Sequence, residues 1–288
     1  MPRNPRLLAG LLLLLASCGP SLLSTADNVV RFRAGPQRAA TGLAYGENAR
    51  QKLDVYVPRG SVATDKRPVV VFFYGGGWAE GARLDYAFAG RAYAARGFVT
   101  VIPDYRLVPE VRFPFFVQDG AAAVRWVRDN IARYGGDPAR ITVAGHSAGA
   151  QIAALLTLDK RYLEFQGVPP GTIRAAALLA GPYDFTLTGD RARAAFGEWR
   201  RPADTQPYAF ARPDAPPMWL GTGSLDEVVE PRNSEVLAAR LRAMGAVAEF
   251  KQYPGGSHVD MALALAKPFR GRVPVLDDSS AFLLQHSR

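Results

Sequence analysis

A chain of 288 residues, 48% of them hydrophobic, is long enough to bury a large core and has the make-up of a globular protein. Its formal charge of +9 comes mainly from arginines spread along the whole length, with no basic block and no basic helix interleaved with aromatics, so no nucleic-acid partner is expected. A single cysteine excludes an intramolecular disulfide, and three scattered histidines without an H-E-x-x-H or paired-aspartate pattern leave no metal ligand set, so no metal or other cofactor is expected.

At the N-terminus Arg3 and Arg6 precede the run "LLAGLLLLLA", which is too short to cross a bilayer as a mature helix and predicts a signal peptide over residues 1–17. Its end, Leu15-Ala16-Ser17-Cys18, resembles the lipobox of bacterial lipoproteins. That resemblance implies cleavage before Cys18 and acylation of its thiol and new amino terminus, several chains giving the firm membrane hold that one chain does not. Gly19 stands where such proteins carry aspartate for inner-membrane retention, so the expected location is the bacterial cell envelope, at the outer membrane facing the periplasm. Residues 18–49 are polar, broken by Gly35, Pro36 and Gly42, and show no sustained helical or strand period; they are expected to be a tether and lead-in to one domain over 50–288.

Beyond residue 50 the chain alternates. "KLDVYV", "PVVVFFY", "FVTVIP", "RITVAG", "IRAAALLAG", "PPMWLGTG" and "AEFKQYP" are short, apolar and bounded by Gly or Pro, as buried strands are. Between them, helices are predicted over 85–96, 115–134, 148–158, 231–244 and 259–267. Strands alternating with helices predict an α/β domain, its mostly parallel sheet covered by helices on both faces. The stretch 183–215, rich in Arg and Pro, breaks this rhythm and is expected to be a small lid inserted after a strand.

Gly145-His146-Ser147-Ala148-Gly149 matches G-x-S-x-G, with an apolar strand running into the serine and a helix-forming run leaving it. A turn this sharp has no room for side chains at the flanking positions. It lifts the hydroxyl above the sheet edge and aims the following N–H and the helix N-terminus at the reacting centre. A serine hydroxyl needs a base, and the base needs a group that fixes its tautomer. His146 sits in the turn itself, where its side chain is expected to point elsewhere, and His286 lies in an expected fraying tail. His258, in the glycine-rich loop "YPGGSHVDM", is therefore the expected base. For the acid, the loop after "PPMWLGTG" offers Asp226, Glu227 and Glu230; Asp226 is preferred because it comes soonest after the strand. Gly75-Gly76-Gly77 follows a strand without the G-x-x-x-x-G-K-[ST] or G-x-G-x-x-G continuation of a phosphate cradle, so its N–H groups suit a transient oxyanion better.

Tyr74-Gly75-Gly76-Gly77-Trp78, "DYRLVPE" at 104–110, "GHSAG", and downstream Asp226 and His258 stand in the order of the α/β-hydrolase superfamily. The chain resembles, over about residues 50–258, the carboxylesterases of the hormone-sensitive-lipase and acetylesterase type that carry an H-G-G-G-W loop. The resemblance implies an α/β-hydrolase fold, an oxyanion hole from the N–H groups of Gly76, Gly77 and Ala148, a scaffolding role for "DYRLVPE", and a structural role for Asp184 in "GPYDF". Two departures stand out: Tyr74 replaces the loop's leading histidine, and the short stretch before the first strand leaves a small or absent cap, which suits small ester substrates. The expected function is serine-dependent carboxylic ester hydrolysis through Ser147, His258 and Asp226. A kynurenine-formamidase-like amide hydrolase could use the same triad. A non-catalytic envelope binding protein on this fold would be expected to have lost the serine, the histidine or the glycines, and all are present.

Overall fold

The seven apolar runs become β2 (Lys52–Val57), β3 (Arg67–Phe73), β4 (Val99–Pro103), β5 (Gly136–His146), β6 (Ile173–Leu179), β7 (Met218–Gly223) and β8 (Ala248–Tyr253). An additional strand, β1 (Gln37–Ala44), precedes them in the computed structural model, which describes residues 35–197 and 199–288. The expected signal peptide and Cys18 lie outside the described residues. The eight strands form one sheet in the order β1-β2-β4-β3-β5-β6-β7-β8. β1 with β2 and β2 with β4 are antiparallel, whereas the six strands from β4 across to β8 run parallel. From Val69 to Phe73 every residue of β3 is fully buried, because helices cover both faces of a parallel sheet.

Those helices are α1 (Ala87–Ala94), α2 (Phe115–Asn130), α3 (Ala148–Leu158), α4 (Lys160–Phe165), α5 (Asp190–Phe196), α6 (Arg232–Ala243), α7 (His258–Leu263) and α8 (Val275–His286). The predicted helix over 115–134 divides into α2 and a 3-10 turn at Ile131–Tyr134, and α3 has the expected bounds. All of its 11 residues are buried, which explains a run, "AGAQIAALL", with almost no polar face. The expected tail around His286 is instead the last turn of α8, where the His286 ring lies 4.4 Å from that of Phe282.

β1 was expected to have no regular structure, and its residues are mostly exposed, with no apolar alternation. It is held from outside its own sequence. The fully buried Asp54 carboxylate on β2 accepts from the Thr41 hydroxyl and the Gly42 N–H, both at 2.9 Å, and pairs with Arg38 at 3.4 Å.

The chain leaves β3 towards β4 on one side and leaves β5 towards β6 on the other. Their carboxyl ends, where Phe73 pairs with Gly145, therefore open a crevice, the usual ligand position in such sheets. "DYRLVPE" braces the floor beside it: the Arg106 guanidinium grips the buried Asp119 carboxylate by a fork at 2.7 and 2.9 Å, and Gln51 adds a bond of 2.7 Å. Removing the guanidinium leaves a buried carboxylate short of donors, so Arg106→Met is expected to lower unfolding free energy by about 2–3 kcal/mol in urea titrations.

Candidate active site

Ser147 joins β5 to α3 with φ 55° and ψ −123°, a conformation costly for an L-residue and held only because its surroundings leave no alternative. A Cβ at Gly145 would lie 2.4 Å from the Gly149 carbonyl oxygen, and one at Gly149 would lie 2.2 and 2.3 Å from the carbonyl oxygens of Phe73 and Tyr74. Only glycine at both positions lets the helix start this close to the end of β3. Ala148, the first helical residue, has a backbone N–H that α3 does not use.

Directly after β3 the main chain turns through positive φ at Gly76 (130°), Gly77 (58°) and Trp78 (61°). The Gly76 carbonyl caps the turn by accepting from the N–H groups of Ala79 and Glu80, and a Cβ at Gly76 would lie 2.2 Å from the Glu80 carbonyl oxygen. Trp78 is fixed at both ends: its carbonyl accepts from the Val108 N–H at 2.9 Å, and its indole N–H donates to Gln151 at 3.2 Å. Gln151 in turn donates to the Thr205 carbonyl at 2.9 Å.

Tyr74 holds the loop in place of a histidine. Its buried ring stacks between Tyr105 (4.7 Å) and Tyr86 (5.6 Å), while its hydroxyl donates to Asp104 at 3.1 Å and accepts from Arg50 at 3.0 Å. Burial, and then the Asp104 charge, push the phenol well above its ordinary range, so it keeps the proton it donates. The Tyr105 hydroxyl donates to the Tyr74 carbonyl at 2.8 Å, and Arg50 also binds the Gly81 carbonyl on the far side of the loop.

The other two candidates come from loops that are laced together. The Ser224 N–H donates to the Tyr253 carbonyl (2.9 Å) and the Leu225 N–H to the Gly256 carbonyl (2.8 Å), and a Cβ at Gly223 would lie 2.1 Å from the Gly256 oxygen. This contact delivers Asp226 to His258, with 2.9 Å between Oδ2 and Nδ1. The second carboxylate oxygen accepts from the N–H groups of Val228 (3.0 Å) and Val229 (2.8 Å), so Asp226 cannot swing away. Glu227 and Glu230 are exposed. Ser257 caps α7 in a reciprocal box with Asp260, which sets where His258 enters the helix. Asp184 pairs with Arg232 at 3.1 Å, and its N–H donates to Asn233.

His146 does not point away from the site. Its ring lies 4.8 Å from that of His258, with Nε2 3.1 Å from the His258 carbonyl oxygen and Nδ1 3.5 Å from the Tyr86 hydroxyl. Burial, and next the neighbouring His258, pull its pKa down to about 3.

Ser147, His258, Gly76, Gly77 and Ala148 line one cavity of about 610 Å³, with Trp78 and Phe185 on its apolar wall. The insert over 183–215, which contains α5, contributes Phe185, Arg191 and Ala192 to that wall, and Phe196 meets Trp78 edge-on at 4.7 Å. It is a small roof rather than a separate cap. A second cavity of about 530 Å³, lined by Arg106, Phe113, Phe196 and Trp199 among others, contains neither Ser147, His258 nor the glycines of the turn. Gln151, Arg50 and His146 escaped notice as supports. Gln151 alone gave a signal, as a lone amide in an otherwise apolar helix run four residues after the serine.

A strained serine between a parallel strand and a helix, a histidine and an aspartate from later loops, and a glycine loop after a neighbouring strand define an α/β-hydrolase. The chain belongs to the BD-FAE family, whose model matches residues 53–241. It is 33% identical over 235 residues to Esterase LipC of Mycobacterium tuberculosis, covering 74% of this chain and 58% of that protein. It is 31% identical over 252 residues to isoprenylcysteine alpha-carbonyl methylesterase ICME of Arabidopsis thaliana, covering 80% and 58%. The chain thus spans somewhat more than half the length of these curated relatives. Among solved structures, the apo form of Thermogutta terrifontis esterase 2 superposes with a TM-score of 0.74 at 26% identity, covering 86% of this chain and 94% of that one.

The buried His146 also makes stability depend on pH. Its folded-state pKa of about 3 lies below the ordinary 6.5, so the unfolded chain takes up the proton first. Stability present above pH 6.5 is then lost as pH falls towards 3, by up to about 1.4 kcal/mol per pH unit. His258, Asp226 and Tyr86 are the titratable groups facing it. Urea unfolding from pH 7.5 down to about 4.5 is expected to show this slope in the wild type and a flatter one in His146→Gln.

Proposed function

We propose that the protein is a serine carboxylesterase. One observation carries this reading: His258, bonded through Nδ1 to Asp226 at 2.9 Å, lines the same cavity as the strained Ser147 and the Gly76-Gly77 turn. With Nδ1–H committed to the carboxylate, Nε2 is the basic nitrogen. Ser147 Oγ attacks the ester carbonyl and passes its proton to His258 Nε2, while the N–H groups of Gly76, Gly77 and Ala148 receive the oxyanion. Collapse breaks the ester C–O bond, and the alcohol leaves with the proton from His258. Water, deprotonated by His258, then attacks the acyl-serine, and the carboxylic acid departs as Ser147 regains its proton.

A small substrate is favoured by the modest cavity and the short insert. Structures of Thermogutta terrifontis esterase 2 with propionate and with butyrate bound support the same preference, at 26% and 25% identity to this chain. Ser147→Ala is expected to abolish hydrolysis of a short-chain chromogenic ester with an unchanged melting temperature; retained turnover would overturn the assignment. Asp226→Asn is expected to lower kcat by about 10³- to 10⁴-fold, because the base is then held in the wrong tautomer. Rates across acyl lengths, acetyl sugars and formanilides would separate ester from amide preference.

We further propose that the enzyme is a lipoprotein of the envelope, a reading supported by Arg3, Arg6, the apolar run and Cys18. Among the described residues no helix is long and apolar enough to cross a membrane. With the residue that would be acylated removed, Cys18→Ser is expected to lower the share of activity found in the membrane fraction, with the specific activity preserved.

A further inference from the structure

His146 and His258 are 112 residues apart in sequence, yet the first lies beside the nucleophile and the second is the base. The carbonyl of His258 faces His146 Nε2 at 3.1 Å, and the two rings lie 4.8 Å apart at 44°. A carbonyl only accepts, so Nε2 must carry the proton. Nδ1 is then an acceptor, and the Tyr86 hydroxyl stands 3.5 Å from it. We propose that His146 is a positioning residue for the base: its Nε2–H, donated to the His258 carbonyl, ties the loop carrying the base to the strand end carrying the nucleophile.

The tie is short and direct. Ser147 is the next residue after His146, at the end of a central strand, so one hydrogen bond fixes the main chain of His258 relative to the nucleophile. Asp226 fixes the ring of His258, and His146 fixes its backbone. Reactive geometry of this kind tolerates little error, since misplacement by about 1 Å can cost about 10²-fold in rate. The clamp also has to stay neutral. His258 becomes an imidazolium during turnover, and a second imidazolium with its ring 4.8 Å away would oppose that protonation. Burial favours the neutral form of His146. The position thus calls for a side chain that donates a hydrogen bond, carries no charge and fills the space against the base.

This inference rests on the triad reading, but two of its readouts do not depend on turnover. With only three histidines in the chain, selective nitrogen labelling resolves each one by NMR. His146 is expected as the neutral Nε2–H tautomer from about pH 5 to about pH 8, and a charged form or the Nδ1–H tautomer in that range would overturn the clamp. Among variants, His146→Phe keeps the ring and loses the donor, whereas His146→Gln places an amide N–H near Nε2. The Phe variant is expected to lose about tenfold or more in kcat, with KM changed by less than about twofold, and to label more slowly with a fluorophosphonate. The Gln variant should recover to within about threefold of wild type. Wild-type kcat in the Phe variant, or equal losses in both, would refute the role. If the Phe variant does not fold, the NMR tautomer decides. Failure of Ser147→Ala to abolish turnover would instead sink the triad and leave the tautomer result standing.

Discussion

Two carbonyl oxygens at the end of β3, those of Phe73 and Tyr74, lie where a Cβ at Gly149 would be. That contact is the constraint on which the site depends. It draws the first turn of α3 against the neighbouring strand, which forces Ser147 into positive φ and leaves the Ala148 N–H at the mouth of the crevice. The loop after β3 emerges from the same place, so the serine and the glycine turn share one cavity without any long-range device to bring them together. The reversal of strand order between β3 and β5 supplies the opening.

A glycine turn can aim its N–H groups only if it does not move, and here the rigidity is provided from below. Asp104 receives the Tyr74 hydroxyl, the Arg83 N–H at 2.6 Å and the Arg83 guanidinium, while Arg50 spans Tyr74, Gly81 and the Tyr105 carbonyl. Buried charges are costly unless paired and hydrogen-bonded; Asp104 is paired with Arg83, and the partly buried Arg50 donates to neutral oxygens. The aromatic stack of Tyr86, Tyr74 and Tyr105 fills the space above the network. Tyrosine therefore holds the loop by its own route: a long side chain reaches past the loop to Asp104, just beyond the end of β4.

Legibility in the sequence followed burial. The six interior strands β2 to β7 were readable because residues enclosed on both faces must be apolar, and α3 was readable to the residue for the same reason. β8, an exposed edge, was instead marked by its β-rich residues and the Pro254 that bounds it. β1 was not, since an exposed edge strand carries no alternation and owes its place to the Asp54 carboxylate on its neighbour. His258 was reachable by elimination among three histidines, and Asp226 by its distance from a strand end. His146 was misread, because a residue inside the turn has a backbone fixed by the turn and a side chain whose neighbour is contributed 112 positions later. The supports Arg50 and Gln151 were overlooked for a like reason: their partners are mostly backbone carbonyls, which have no sequence identity.

By itself the sequence determined where chain direction must change and where side chains are impossible, because glycine spacing and apolar runs are local consequences of sterics and of hiding surface from water. It thereby marked the serine, the glycine loop and the order of the motifs. Only the tertiary structure decided which carboxylate meets His258, how Tyr74 anchors its loop and what His146 faces. Those outcomes depend on hydrogen bonds a few ångströms long between segments remote in the chain, and no periodicity encodes that distance.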